Sequence, residues 1–196
     1  MIDHLLSDTV RAIGAAFEKR AVPHALIGGL AFSLRGRPRS TKAADFIVNC
    51  PALTLPALLE DLKNDGFEID VMDFLQMWPA DKCIVFKRGK VRIDWMQPIL
   101  PIYANVLRSA KQEHWKDQSL RVVTAEGLIL TKLLAFRQTD QTDIETVLIA
   151  NRETINLSII RDEWAPFAKL EAERTAWLEA AIAKHVTPYR SEVPPI

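Results

Sequence analysis

Apolar side chains recur at helical spacing near the start of the chain. Leu6, Val10, Ile13 and Phe17 lie three or four positions apart, with charged residues between them. This periodicity is typical of an amphipathic helix that buries one face. It predicts a first helix over residues 3–20.

Short apolar runs bounded by glycine, proline or polar residues follow this helix. Such runs of about four to eight residues favour buried strands. The predicted strands are one from His24 to the Gly28-Gly29 turn and others at 45–49, 67–71, 83–87 and 91–95, with a hairpin turn at Arg88-Gly89. Two helices are predicted between them, one ending at Gly36 and one over 51–66.

Helical spacing dominates after Pro101. Apart from a short strand at 120–123, the sequence predicts helices over 102–111, 125–138, 141–151, 155–164 and 166–185, then an extended proline-rich tail. We therefore expect an α+β fold, with a small mixed β-sheet core followed by a helical C-terminal half. The expected division is a core at 1–110 and a helical subdomain at 111–196.

Composition limits the classes of partner. The 196 residues include 25 Lys+Arg and 25 Asp+Glu, a net charge of zero, which argues against nonspecific DNA binding. Cys50 and Cys83 are too sparse for a disulfide scaffold or a zinc site. The N-terminus lacks signal-peptide character, and no run approaches the roughly 20 apolar residues of a membrane helix. We expect a cytoplasmic protein that does not enter a membrane.

The charges are unevenly distributed along the chain. Residues 19–42 carry six basic side chains and no acid, whereas 60–81 hold seven acids and one lysine. Within the basic segment, Gly28-Gly29 lies between a predicted strand and a helix N-terminus, where exposed backbone N–H groups favour an anion. Alternatively, the glycines only permit close packing and the arginines are solvated.

Two aspartates lie within predicted strands. Asp45 opens the strand at 45–49, and alternation along 91–95 places Arg92 and Asp94 on one face. If the strands are neighbours, Asp45 and Asp94 could converge on a hard cation such as Mg²⁺. The alternative is a surface ion pair between Asp94 and a nearby basic side chain.

A lysine lies in the middle of an apolar helix. Lys132 lies among leucines in the helix that begins after the predicted N-cap Thr124. It either extends its amine to solvent or reaches into a site, and we favour the site. Three charged residues follow at the next turn: Arg137, Asp140 and Asp143. Asp140 can cap the following helix, and these acids are as compatible with a structural role in capping and surface ion pairing as with a functional role.

Together these stretches resemble the nucleotidyltransferase superfamily, in particular the bacterial group related to abortive-infection toxins of toxin–antitoxin systems. The resemblance rests on Gly28-Gly29, on the Arg39 to Asp45 segment in place of R-x-T-x-D-x-D, on Asp94, and on Lys132 to Asp140 as K-x-x-A-x-R-x-x-D. It covers about residues 20–150.

The resemblance implies Mg²⁺-dependent transfer of a nucleotide from an NTP such as ATP to a hydroxyl acceptor. It assigns metal binding and catalysis to Asp45 and Asp94, nucleotide binding to Gly28, Gly29, Arg39, Thr41 and Lys132, and supporting roles to Arg137 and Asp140. The acceptors it implies are tRNA or other RNA, a protein or a small molecule, and an antitoxin is an implied partner.

One position departs from the pattern of this family. Ala43 stands where the first aspartate of the D-x-D pair is expected, which removes a metal ligand and predicts an inactive or crippled enzyme with weakened Mg²⁺ binding. Either the alanine was introduced into an active enzyme, or the chain is a degenerate homologue. In the second case the alternative function is a non-catalytic nucleotide-binding or protein-interaction module. Its docking stripe would comprise Trp164, Trp177, Leu178 and Ile182, although a stripe of this kind is more often part of the core.

Overall fold

The computed structural model describes residues 2–188, so most of the predicted proline-rich tail, residues 189–196, lies outside the described part of the chain. The helices are α1 Ile2–Lys19, α2 Gly28–Arg35, α3 Leu55–Asn64, α4 Val71–Met77, α5 Pro101–Ser109, α6 Ala125–Ala135, α7 Gln138–Ala150, α8 Leu157–Trp164 and α9 Ala172–His185. The strands are β1 His24–Ile27, β2 Ala43–Val48, β3 Cys83–Arg88, β4 Val91–Met96, β5 Lys111–Trp115 and β6 Gln118–Val122.

The strands form one mixed sheet in the order β3-β4-β2-β1-β6-β5. Two pairs are parallel, β2 with β4 and β1 with β6, and the other pairs are antiparallel. The α+β class expected from the sequence is confirmed. The sheet continues past residue 110, because β1 pairs with β6.

One face of the sheet is covered by an aromatic core beneath α1, α3 and α4. Trp95 of β4 is fully buried. Its ring centroid lies 5.1 Å from that of Phe17 in α1, 5.4 Å from that of Phe74 in α4 and 5.5 Å from that of Trp78. Edge-to-face contacts of this kind add to the free energy gained by burial. Trp78 and Trp95 are therefore core residues.

The opposite face is contacted by α2 and α5, and α6 joins them to the C-terminal helices. Three members of the C-terminal apolar stripe are buried in this layer: Trp164, Leu178 and Ile182. Trp177 is partly buried, with its ring centroid 5.4 Å from that of Phe136. The stripe is therefore largely core within the described chain. No helix among residues 2–188 is long and apolar enough to cross a membrane.

The strand predicted at 67–71 is wrong. Only an isolated bridge joins Glu68 to Lys87, and α4 begins at Val71. The side chain of Asp70 accepts a hydrogen bond from the amide of Asp73 and caps this helix. A capping aspartate next to apolar residues therefore outweighed the alternation that predicts a strand.

The C-terminal half contains an additional strand that the sequence pattern placed in helix or loop. β5 pairs antiparallel with β6, and Lys116 turns the chain between them with a φ of 55°. No residue of β5 is fully buried, because β5 forms an edge of the sheet, whereas three residues of β6 are buried. The weak apolar alternation of such an edge explains why it was missed.

Several helix boundaries also differ from the predictions, among them those of α6 and α9. α6 ends at Ala135 because Phe136 adopts a left-handed conformation with a φ of 51°. The segment predicted as a helix over 166–185 instead consists of turns up to Glu171 and α9 from Ala172. The early end of α6 matters for the site, because it starts α7 at Gln138 and brings the acids of α7 beside Lys132.

Candidate functional site

A cleft of about 480 Å³ opens where the end of β1 meets α2, β2, β4 and the α6–α7 junction. Eight of the residues predicted for the site line it: Gly28, Gly29, Arg39, Asp45, Asp94, Lys132, Arg137 and Asp140. Thr41 does not line the cleft. Its hydroxyl lies behind Gly29 and donates to the carbonyl of Ala43 at 3.2 Å.

Asp45 and Asp94 lie side by side on neighbouring parallel strands. They are partners in the register of β2 and β4, so their side chains leave the same face of the sheet. Asp45 is the third residue of β2 rather than the first residue of a strand. The structure thus brings together the two carboxylates that the sequence placed on separate strands.

The start of α2 is built around Asp45. Gly28 has a φ of +64°, and a Cβ placed on it would lie 2.0 Å from Oδ2 of Asp45. The amide of Gly29 donates a hydrogen bond to that same oxygen at 3.3 Å. Any side chain at position 28 would therefore displace the carboxylate, so this glycine has a steric function beyond forming a turn.

The two carboxylates affect each other electrostatically. Burial raises the pKa of Asp45, and the neighbouring charge of Asp94 raises it further. Arg92 covers Asp94 from the same strand, with Nε 2.5 Å from Oδ1 and Nη2 3.0 Å from Oδ2. Asp94 therefore forms the ion pair that the sequence offered as one alternative, and it also lies beside Asp45, which was the other.

The two carboxylates fit one Mg²⁺ ion, which proteins commonly hold through one or two carboxylates together with water and substrate phosphates. The raised pKa of Asp45 is the supporting observation, because a cation between the two groups would relieve both burial and like charge. Ala43 lies on the same face of β2, two residues before Asp45. Within residues 2–188 no group of three His, Cys, Asp or Glu side chains is placed to hold a metal.

A buried ion-pair network forms the wall of the cleft opposite these carboxylates. Nζ of Lys132 lies 3.1 Å from Oδ1 of Asp140 and 2.7 Å from Oδ2 of Asp143. The other oxygen of Asp143 accepts from Nη1 of Arg39 at 2.9 Å. Lys132 thus reaches into the site, as the sequence suggested, but two carboxylates already surround its amine.

Asp140 also organises the start of α7. Its Oδ2 accepts from the amide of Arg137 at 3.1 Å, so it caps the helix from the third position rather than from the N-cap itself. The side chain of Arg137 lines the cleft at its exposed edge. Asp140 therefore both caps α7 and lines the cleft.

Several lining residues have no signal in the sequence. Cys83, Met96 and Tyr103 reach the cleft from β3, β4 and α5. Burial and the nearby aspartates raise the pKa of the Cys83 thiol. Asp143 had a detectable signal, because it lies one helical turn after Asp140, but spacing alone did not show that it joins two cations.

No protein-family model matches the sequence, and no curated protein is a significant match. Among solved structures, the chain is similar to an antigenic nucleotidyltransferase-like protein from Paracoccidioides brasiliensis, with 16% identity over 88% of this chain and 92% of that chain and a TM-score of 0.46. The antibiotic-resistance factor ANT(2'')-Ia is 16% identical over 97% of each chain, with a TM-score of 0.48. The lincosamide antibiotic adenylyltransferase LnuA is 18% identical over 67% of this chain and 89% of that chain, with a TM-score of 0.45.

Proposed function

We propose that the protein is a nucleotidyltransferase that binds an NTP with Mg²⁺ and transfers its nucleotide to a hydroxyl acceptor, with an activity crippled by Ala43. One observation carries this proposal: Asp45 and Asp94 lie in register at the cleft, directly beside the glycine-rich start of α2. The order of motifs along the sequence supports the same superfamily.

Each part of the cleft has a role in this proposal. Asp45 and Asp94 would hold Mg²⁺, which supplies charge neutralisation of the triphosphate and activation of the acceptor hydroxyl. Gly28 and Gly29 have no side chains, so a ligand can approach the carboxylates closely along the backbone at the start of α2. Arg39, 44% exposed at its side chain, offers a guanidinium fork suited to phosphate oxygens.

The alanine at position 43 limits the rate in this proposal. A third carboxylate there would share the face of Asp45 and add a ligand and a negative charge to the cation site. Loss of such a group costs several kcal/mol of transition-state stabilisation, at about 1.4 kcal/mol per tenfold in rate. The chain should therefore retain NTP binding while its rate of nucleotide transfer is low.

Binding and turnover test the proposal separately. Calorimetry with ATP, GTP, CTP and UTP, with and without Mg²⁺, should show saturable binding that Mg²⁺ strengthens and that Asp94→Asn weakens. Transfer of labelled nucleotide to tRNA, protein or small-molecule acceptors should increase at least about 100-fold in Ala43→Asp. Failure of every NTP to bind, or of Ala43→Asp to transfer to any acceptor class, argues against the proposed function.

A non-catalytic nucleotide-binding or protein-interaction module is the second candidate. The observation that favours it is Arg92, which bonds both oxygens of Asp94 and so competes with a cation. A module of this kind would bind NTP equally well with and without Mg²⁺, and Ala43→Asp would not transfer nucleotide. The same calorimetric series therefore distinguishes the two candidates.

The toxin role remains a prediction from the sequence resemblance. It implies that induction of Ala43→Asp in a bacterial host stops growth, whereas the chain with alanine does so weakly or not at all. A neighbouring gene whose product relieves the arrest would be the antitoxin. Growth without arrest in the host, despite transfer activity in vitro, would favour a small-molecule acceptor.

A further inference from the structure

Asp143 joins the two basic side chains that the sequence assigned to nucleotide binding. One carboxylate oxygen accepts from Arg39 at 2.9 Å, and the other accepts from Lys132 at 2.7 Å. The side chain of Asp143 is only 5% exposed. No sequence motif quoted above includes this residue, and its bridging position exists only because α7 folds back against α2 and α6.

The two cations are not equivalent in this network. Lys132 is 8% exposed at its side chain and lies between Asp140 and Asp143. Arg39 is 44% exposed at its side chain, and Asp143 bonds only Nη1 of its guanidinium. Its Nη2 lies 3.7 Å from the position that a Cβ on Gly29 would occupy, which places this group beside the start of α2.

Phe32 completes the positioning of Arg39. The guanidinium lies over the ring of Phe32, with its central carbon 4.6 Å from the centroid. The ring and the Asp143 carboxylate therefore fix the guanidinium from two directions. A guanidinium fixed in this way loses less conformational entropy when it binds a phosphate, because its orientation is already set.

We propose that Asp143 is a positioning residue for nucleotide binding: it holds Arg39 toward the phosphates, and Lys132 supplies a counter-charge that offsets the cost of burying this carboxylate. Lys132 then acts through Asp143 and does not itself contact the triphosphate. This inference rests on the proposed function, because it assigns roles within the same NTP site. It changes the role that the family resemblance gave to Lys132.

Electrostatics supports this division of roles. A carboxylate buried without a partner is costly, whereas one bonded by two cations is stabilised. Lys132, Arg39, Asp140 and Asp143 together carry no net charge. If a triphosphate displaced Lys132 from its two acids, both acids would be left buried without this cation. Contact through the accessible part of Arg39 avoids that cost.

A double-mutant cycle tests the proposal, with ATP affinity in Mg²⁺ and the unfolding temperature as readouts. Asp143→Asn and Arg39→Gln should each weaken ATP binding roughly tenfold, the usual effect of losing one charge-assisted hydrogen bond. The double variant should bind no more weakly than Arg39→Gln alone, because Asp143 acts through Arg39. Arg39→Lys should lose nearly as much, because an amine cannot keep both the bond to Asp143 and the fork.

Asp61→Asn is the matched control. Asp61 also bridges a lysine and an arginine, Lys19 and Arg20, on the side of the molecule away from the cleft. It should change stability without changing ATP affinity, which separates positioning from general loss of ion pairing.

Four outcomes would overturn the inference while leaving the proposed function intact. They are unchanged or tighter ATP binding in Asp143→Asn, full affinity in Arg39→Lys, additive losses in the double variant, and an equal loss in Asp61→Asn. The Arg39 variants keep the test valid if Asp143→Asn does not fold, because Arg39 lies at the accessible edge of the network. If the unsubstituted chain binds no NTP, the proposed function fails and the inference fails with it.

Discussion

The native surroundings of Asp45 and Asp61 shift the pKa values of these two carboxylates in opposite directions. Asp45 lies in the cleft beside a second aspartate, and burial together with that neighbour raises its pKa. Asp61 lies against Lys19 and Arg20, and its hydrogen bonds to Arg20 and then Lys19 lower its pKa to about 2. Native contacts compensate the charge of Asp61, whereas they leave that of Asp45 available to a ligand. Uncompensated charge in a cleft is typical of functional sites.

Asp45 and Asp61 make the free energy of unfolding depend on pH in opposite directions. The raised pKa of Asp45 means that its contribution to stability is present below the unfolded pKa and is lost as pH rises through the folded pKa. The lowered pKa of Asp61 means that its contribution is present above the unfolded pKa and is lost as pH falls toward about 2. The following substitutions test this contrast.

The largest expected effect is that of Gly28→Ala. The new methyl group would meet Asp45 at 2.0 Å in a left-handed conformation, so we expect a loss of about 3 kcal/mol in unfolding free energy together with loss of Mg²⁺ binding. Chemical denaturation and calorimetry measure the two effects. Gly66→Ala is the control, because Gly66 also has a positive φ of +84° but its nearest neighbour lies 4.0 Å away. Equal losses in both variants would show that only backbone strain is involved.

Asp45→Asn should stabilise the protein while destroying its cation site. Asparagine carries no charge, so the variant does not lose stability as pH rises through the raised pKa of Asp45. At neutral pH without Mg²⁺ we expect the melting temperature to rise by a few degrees, the change produced by about 1 kcal/mol in a chain of this size. Thermal melts from pH 4 to 8 should converge with those of the unsubstituted chain at the acidic end. A lower melting temperature at neutral pH would contradict the uncompensated charge.

Asp61→Asn should have a smaller effect of opposite sign. The lost contacts to Lys19 and Arg20 should lower the unfolding free energy at neutral pH by up to about 1 kcal/mol, because ion pairs of this kind contribute little. The difference should disappear as pH falls toward the pKa of about 2. A destabilisation that persists at low pH would show that packing, not charge, is responsible.

Arg92→Gln should have the smallest effect. Arg92 bonds both oxygens of Asp94 while more than half of its own side chain is exposed, so its hold on the carboxylate is weak. Its removal should strengthen Mg²⁺ binding about threefold, in keeping with the energy of an exposed pair. Arg11→Gln, which removes the ion pair between a comparably exposed arginine and Asp117, should leave Mg²⁺ affinity unchanged. Weaker Mg²⁺ binding in Arg92→Gln would indicate that the arginine supports the site.

Predictions from local sequence patterns were correct where the apolar residues of an element repeat with one clear period. The amphipathic spacing of Val10 and Phe17 predicted α1, and the alternation of Arg92 and Asp94 predicted which face of β4 carries the acid. The same reasoning failed at 67–71 and 111–115. There, a capping aspartate and an edge position decided the structure, and neither leaves a clear apolar period.

The sequence by itself determined most of the element types and most of the candidate site residues, because periodicity and residue chemistry are local properties of the chain. Only the tertiary structure decided which charges are compensated. Asp45 and Asp94 meet because β2 and β4 pair in register, and Asp143 bridges Arg39 and Lys132 because α7 packs against both α2 and α6. Arg39 and Asp143 are 104 positions apart along the chain. The electrostatic energy of such a pair depends on distance and burial, which the order of residues does not specify.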